Sequence, residues 1–255
     1  MIAIGQSRVL ARIACAAWVA AGALQPAAAA GQALAPRDDY HAIRWYEPLA
    51  AAGALALVSL VDEPVADHFR EHHSAAGDDL ASAARHVGAP EVYLPVTAGV
   101  LVWGVAAHDA DVRHAGIRLA ASLALAAAAA EGLKFALGRE RPGVAADAYR
   151  FDPFTFDGGF PSGHATMAFA MAASLADDID RGWATAGLYA AATAVAASRV
   201  YDREHWVSDV AGGALAGVAA AKLASGRWRV FGIRPPGFLL AGGRPGLGWR
   251  LAVRE

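Results

Sequence analysis

Six apolar, alanine-rich runs, at about 45–61, 92–107, 115–137, 164–176, 183–198 and 206–223, leave this chain little to fold into except packed helices. Each run is bounded by charges, glycine or proline, the signals that start and stop helices. A shorter amphipathic turn is expected near 78–87, and "FLLAGGRPGLGWRLAV" (238–253) reads as two short strands around a glycine-rich turn. The expected fold class is therefore all-α, a six-helix antiparallel bundle with a short C-terminal β-hairpin. Between Pro142 and Pro161 lies a segment too long and too aromatic for a simple connector. Its Tyr149, Phe151, Phe154, Phe156 and Phe160 suit either a lid or a small satellite core.

The chain is 56% hydrophobic and 18% charged over 255 residues, with a net charge of −2, and its basic residues form no stripe. A nucleic-acid partner is therefore not expected. Arg8 and Arg12 precede "IACAAWVAAGAL", and a small-residue region ends near Ala30, the pattern of an export signal. The expected organisation is a signal peptide over 1–30, a helical domain over 31–225 and a tail over 226–255. Cys15, the sole cysteine, would leave with the signal, so neither a disulfide nor a cysteine-ligated metal is expected.

Three polar clusters interrupt the helices, each at a helix end. In "KFALGRERP" (134–142), Lys134 and Arg141 stand seven residues apart, which is two turns and one face. "PSGH" (161–164) opens the fourth run, and Ser162 alone could cap that helix. In "SRVYDREHWVSD" (198–209), His205 and Asp209 stand at i, i+4 if a helix begins near His205. With the helices alternating up and down, all three clusters fall at one pole. Lys134, Arg141 and Arg199, with the backbone N–H groups of a helix start at Ser162-Gly163, make a cradle for a tetrahedral oxyanion. No Asp/Glu cluster lies nearby and the histidines lack a zinc spacing, so no metal is expected. His205, held in one tautomer by Asp209, would attack phosphorus, and His164 would protonate the leaving oxygen.

The order Lys134-x6-Arg141-Pro142, Pro161-Ser162-Gly163-His164, Ser198-Arg199-x5-His205-x3-Asp209 resembles the type 2 phosphatidic acid phosphatase (PAP2) family. That family shares its site with bacterial class A acid phosphatases and vanadium haloperoxidases. The resemblance covers about 134–223 directly, and it implies a six-helix bundle of the PAP2/haloperoxidase type. It also implies a phosphatase acting through a phosphohistidine at His205. His164 would then activate water, and Lys134, Arg141, Ser162, Gly163 and Arg199 would hold the phosphoryl oxygens. No cofactor is expected, although vanadate, as a phosphate mimic, should bind. Expected substrates are phosphorylated lipids, such as phosphatidic acid or a prenyl diphosphate, or a small phosphoester. A vanadium haloperoxidase and a soluble acid phosphatase are the alternatives.

Arg139, Arg203 and Asp202 read as solvated or supporting ion pairs, and "DHFREHHSAAGDD" (67–79) as no metal site, since His72 and His73 are adjacent. Several apolar runs fall short of the roughly 20 residues needed to cross hydrocarbon, and 115–137 contains Arg118, Glu131 and Lys134. The expectation is an exported protein of the periplasm or cell envelope, soluble or resting on a membrane surface, with a multi-pass membrane protein as the alternative.

Overall fold

Alanine-rich sequence becomes eight α-helices in the computed structural model, which describes residues 40–145, 147–155, 158–230, 237–241 and 244–248. They are α1 (Tyr46–Val58), α2 (Asp62–Glu71), α3 (Ala75–Val87), α4 (Pro90–Ala106), α5 (Ala110–Leu137), α6 (Gly163–Ile179), α7 (Gly182–Tyr201) and α8 (Val207–Ala224). All but α2 and α3 are the six expected from the apolar runs. The proposed signal peptide lies outside the described residues.

Helix α6 is the centre of the bundle. Ala165, Ala168, Ala170, Ala172 and Ala173 are buried along it, against α5, α7 and α8. One core cluster joins Leu119, Leu123 and Ala126 of α5 to Ala170 of α6 and Ala220 of α8. Small residues set how closely the helices approach. A Cβ on Gly217 of α8 would run into the carbonyl oxygen of Thr166, and one on Gly213 would lie 2.7 Å from the carbonyl oxygen of Ser162. Gly187 of α7, by contrast, has nothing within 4 Å of its Cβ position. Gly217→Ala is therefore expected to lower the thermal midpoint, by about 1–3 kcal/mol of overpacking that outweighs alanine's better helix propensity. Gly187→Ala should not, and parallel melting curves of the two variants check the difference.

Helices α2 and α3 were not expected as full elements. They lie at the pole where α1, α5 and α7 end and α6 and α8 begin. Asp62 of α2 bonds Ser208 of α8, Ser74 at the start of α3 bonds Tyr201, and Arg85 of α3 reaches Asp202. The charge-rich sequence of α2 lacks a long apolar stripe, which is why it reads as a solvated segment. Among the described residues, two strand pairs accompany the helices. β1 (His41–Ile43) runs parallel to β2 (Trp228–Val230), joining the entry of α1 to the exit of α8 at the opposite pole. β3 (Gly237–Ala241) and β4 (Arg244–Gly248) form the antiparallel C-terminal hairpin. The β1–β2 pair has no local sequence signal, because three-residue strands 187 positions apart are chosen by the fold.

The expectation that the runs are too short to cross a membrane does not hold for four helical segments. Tyr46–Glu71, Ala75–Ala106, Ala110–Leu137 and Val207–Ala224 are long and apolar enough, by length and composition. Runs that sequence patterning ends at a charge continue in the fold: α1 passes through a 3-10 turn (Ser59–Val61) into α2. None of the residues of α1 is buried, and Leu49, Leu57, Val102 and Trp103 stand exposed on α1 and α4. An uncovered apolar face of this extent marks an interaction surface.

Candidate active site

The pole formed by α2, α3 and four helix ends gathers every site residue expected from the sequence. Lys134 sits in the last turn of α5, which Gly138 ends in a left-handed conformation at φ 55°. The chain then turns through Arg139 and Arg141 into the aromatic segment. It returns along Gly158 and Gly159, where a side chain is crowded: a Cβ on Gly158 would lie 2.7 Å from the Lys134 carbonyl oxygen, and one on Gly159 3.3 Å from both the Arg141 Cγ and an Asp209 carboxylate oxygen. The Gly159 amide donates to the Arg139 carbonyl at 2.6 Å, and the Ser162 amide to the Asp209 carbonyl at 3.0 Å. These two bonds set the start of α6 beside α8.

Ser162 is the N-cap of α6 by position but not by bonding. Its hydroxyl makes no capping hydrogen bond, and it is buried without a protein partner. The expected capping role is thus not filled, and the hydroxyl remains free beside the first-turn amides, which have no intrahelical acceptor. Lys134 Nζ lies 3.3 Å from where a Gly163 Cβ would be, so the ammonium stands directly over that helix start. His164, the second residue of α6, is partly buried. Its pKa is pushed down to about 4, first by burial and then by Arg199, His205, Lys134 and Arg85.

The last turn of α7 carries Arg199, whose buried guanidinium donates to Asp202 at 3.0 Å while its Nε has no protein partner. The carbonyl of Arg199 accepts both the Glu204 and the His205 amides, at 3.1 and 3.2 Å, and so holds the turn that presents the imidazole. The helix after it begins at Val207, later than expected, so His205 precedes the N-cap Trp206 and Asp209 is the third helical residue. Asp209 folds back, its Oδ2 accepting the Trp206 amide at 3.0 Å, as in half of a capping box. His205 Nδ1 lies 3.6 Å from that same oxygen, beyond hydrogen-bond length. His205 is 4% exposed, and its pKa is lowered, chiefly by burial, with Asp209 opposing and Arg141 and Arg199 adding to the shift. The ring is therefore neutral near pH 7. His164 and His205 both lie outside the four segments long enough to cross a membrane.

Sequence reasoning missed three contributors here, Asp62, Ser208 and Glu204, and left Arg139 open between a solvated residue and a supporting ion pair. Arg139 is not solvated: it is 4% exposed and donates to Asp209 Oδ1 at 2.7 Å, behind the histidine. Its signal was only that it lies between Lys134 and Arg141. Asp62 and Ser208 bond to it from α2 and α8. Glu204 places its Oε2 2.7 Å from Arg141 Nη1 and 3.8 Å from Arg199 Nη2, so a carboxylate already sits between two cations of the cradle. Asp202, expected as a supporting ion pair, bridges Arg199 and Arg85. Arg203 donates to the Pro142 carbonyl at 3.3 Å.

Displacing the Glu204 carboxylate costs an incoming anion one partly exposed ion pair, about 0.2–1 kcal/mol. Glu204→Gln is therefore expected to tighten inhibition by inorganic phosphate about two- to fivefold, as measured by competition during turnover. An unchanged inhibition constant would mean that this carboxylate does not stand in the anion's place.

Among the described residues, no group of three or more His, Cys, Asp or Glu is arranged to hold a metal ion. His72 stacks on His68 with ring centroids 4.5 Å apart, while His73 bonds Asp78. In the aromatic segment, Phe160 packs inward against the backbone at Gly212 and Ala145 and Ala148 join Ala66 and Trp206 in a small satellite cluster, while Tyr149, Phe151 and Phe154 are exposed. Phe156 lies outside the described residues.

Residues 115–230 match the model of the PAP2 superfamily. A protein of Escherichia coli (strain K12) named "Putative undecaprenyl-diphosphatase YbjG" is 32% identical over 140 residues, 54% of this chain and 68% of that one. The fold is similar, with a TM-score of 0.54, to the crystal structure of a transmembrane PAP2 type phosphatidylglycerolphosphate phosphatase from Bacillus subtilis. That match covers 71% of this chain and 95% of the other at 20% identity. Neither relative is named as a haloperoxidase. On the match over 115–230 and the relative 32% identical over 140 residues, the chain belongs to the PAP2 superfamily and is a phosphatase.

Proposed function

We infer that this phosphatase removes a terminal phosphate from a lipid, a phospholipid phosphate or a prenyl diphosphate, through a phosphohistidine at His205 and without a metal. One observation carries the reading. A buried, neutral His205 beside Asp209 shares its pole with Lys134, Arg141, Arg199 and the unpartnered hydroxyl of Ser162. A Nδ1–H directed at Asp209 leaves the Nε2 lone pair for phosphorus, as a nucleophile requires. The gap of 3.6 Å to Asp209 suits a bond that tightens as the ring gains charge.

In the first step Nε2 bonds phosphorus and the ester oxygen leaves with a proton from His164. That histidine is held neutral first by its burial and then by Arg199, His205 and Lys134. A phosphate dianion between those cations offsets them and raises the pKa of His164, so the acid forms where substrate binds. In the second step the same residue, again neutral, takes a proton from water as the water oxygen attacks phosphorus. The N–P bond breaks and phosphate departs. Lys134, Arg141, Arg199 and the first-turn amides of α6 face the charge that grows on the phosphoryl oxygens, a type of contribution worth about 10²–10³ in rate per donor.

The lipid part of the reading rests on the four membrane-length segments, on the uncovered apolar faces of α1 and α4, and on what the two relatives are named for. With the site at one pole of the bundle, a headgroup at a bilayer surface reaches it while the tails stay in hydrocarbon. The test is phosphate release in EDTA by the detergent-purified chain from p-nitrophenyl phosphate, dispersed phosphatidic acid and an isoprenyl diphosphate. Turnover of either lipid above the soluble ester supports the reading. Activity that EDTA abolishes, or that is confined to the soluble ester, contradicts it.

A further inference from the structure

Behind His205 lies a buried charge cluster of which the chemistry above uses only Asp209. Asp62, at the first position of α2, is 0% exposed, as is Asp209, and Arg139 between them is 4% exposed. Every N–H of the guanidinium is spent. Nε and Nη2 donate to the Ala148 carbonyl, Nη2 also to Asp62 Oδ2 at 2.8 Å, and Nη1 to Ser208 Oγ at 2.6 Å and to Asp209 Oδ1 at 2.7 Å. Asp62 also accepts the Ser208 amide at 2.8 Å and the Ser208 hydroxyl at 2.5 Å.

The bonding is complete but the charge is not. Two carboxylates and one guanidinium leave one buried negative charge, which is expensive unless a positive group joins it. One guanidinium needs one carboxylate, and Asp209 already supplies it. The second carboxylate, Asp62, comes from α2, outside the 115–230 match. The group positioned to complete the balance is His205, facing the other oxygen of Asp209. The other charged or titratable groups acting on His205 are Arg141 beyond α5, Arg199 of α7 and His164 of α6, with Glu204 beside it in the chain. The two arginines disfavour a positive ring.

We propose that Asp62 is a positioning residue whose buried charge, relayed through Arg139 and Ser208 to Asp209, stabilises the imidazolium form that His205 takes while bonded to phosphorus. This rests on the phosphohistidine reading. With Nε2 phosphorylated and Nδ1–H retained, the ring carries one positive charge and the four groups Asp62, Arg139, Asp209 and His205 sum to zero. Asp62 touches neither substrate nor the reacting atoms. It acts through the net charge that Asp209 presents to the ring.

The test compares the pH dependence of kcat/KM for p-nitrophenyl phosphate in the full chain, wild type beside Asp62→Asn, Asp62→Asn with Arg139→Gln, and His205→Ala. The acid limb reports loss of the proton from His205. Removing a nearby negative charge favours the neutral ring, so Asp62→Asn is expected to move that limb down by about half a pH unit or more. It should also lower kcat about tenfold or more with KM nearly unchanged. The double variant restores the net charge of −1, so its limb should return to the wild-type position. A limb unmoved in Asp62→Asn, or equally displaced in the double variant, overturns the proposal and leaves Asp62 a structural residue. Should Asp62→Asn not fold, the double variant decides. A wild-type limb with kcat within about tenfold of wild type supports the charge account, and a displaced limb or activity as low as that of His205→Ala overturns it. If His205→Ala is as active as wild type, the phosphohistidine reading has failed and takes this proposal with it, an outcome distinct from failure at Asp62 alone.

Discussion

His205→Ala is expected to reduce phosphate release by about four orders of magnitude or more, with the fold intact. A group that forms the covalent intermediate has no partial substitute. The cations of the cradle still bind the phosphate, but water would have to attack directly, without a leaving group already exchanged for nitrogen. Truncating a residue that merely packs would act differently. A buried imidazole lost from the core costs stability through its cavity, and residual activity would then track the folded fraction. The distinction is measurable, because His205→Ala should bind vanadate through Lys134, Arg141 and Arg199 while releasing no phosphate. His164→Ala should behave otherwise again, slowing the second step more than the first when the leaving group needs no proton, as p-nitrophenolate does. An active His205→Ala would remove the foundation of the account.

Arg139→Ala is expected to destabilise the protein by about 3–5 kcal/mol, the loss typical of breaking a buried ion pair from one side. Both carboxylates it serves, Asp62 and Asp209, are 0% exposed, so neither can recover its bonds from solvent. The guanidinium also ties the aromatic segment to the bundle through the Ala148 carbonyl, and it stands 5.6 Å from the ring centroid of Trp206. Its removal loosens α2, the segment after α5 and the start of α8 together. Thermal unfolding of the detergent-purified variant is the check. Lys134→Ala, at a partly buried position with one ion pair to Glu131, should melt near the wild-type temperature while losing phosphate affinity. Equal midpoints for the arginine variant and wild type would mean that the cluster carries little of the fold's stability.

The bundle was legible in the sequence because each long helix is written twice, once as an apolar run and once as the glycine, proline or charge that ends it. Alternation of those helices then places Lys134, His164, Arg199 and His205 at one pole without further information. The residues that stayed hidden act through long-range pairing. Asp62 meets Ser208 across 146 positions, and nothing in "VDEPVADHFRE" distinguishes it from its acidic neighbour Glu63. Arg139 and Arg141 are alike in composition, yet one points behind Asp209 and the other toward Glu204. Which arginine is buried depends on the turn at Gly138. Ser162 shows the reverse case, a residue whose local grammar says cap while the site leaves its hydroxyl unspent. The membrane-length segments escaped because charges such as Asp62 interrupt the apolar pattern without interrupting the helices.

The most direct test of the central claim is to trap the enzyme during turnover. Mixing the chain with a substrate radiolabelled in its terminal phosphate and quenching in alkali should leave label on the protein that is stable to base and lost in mild acid, as an N–P bond requires. The account predicts such label in wild type, more of it in His164→Ala and none in His205→Ala. Turnover with no label under any quench, or label that survives in His205→Ala, would contradict it.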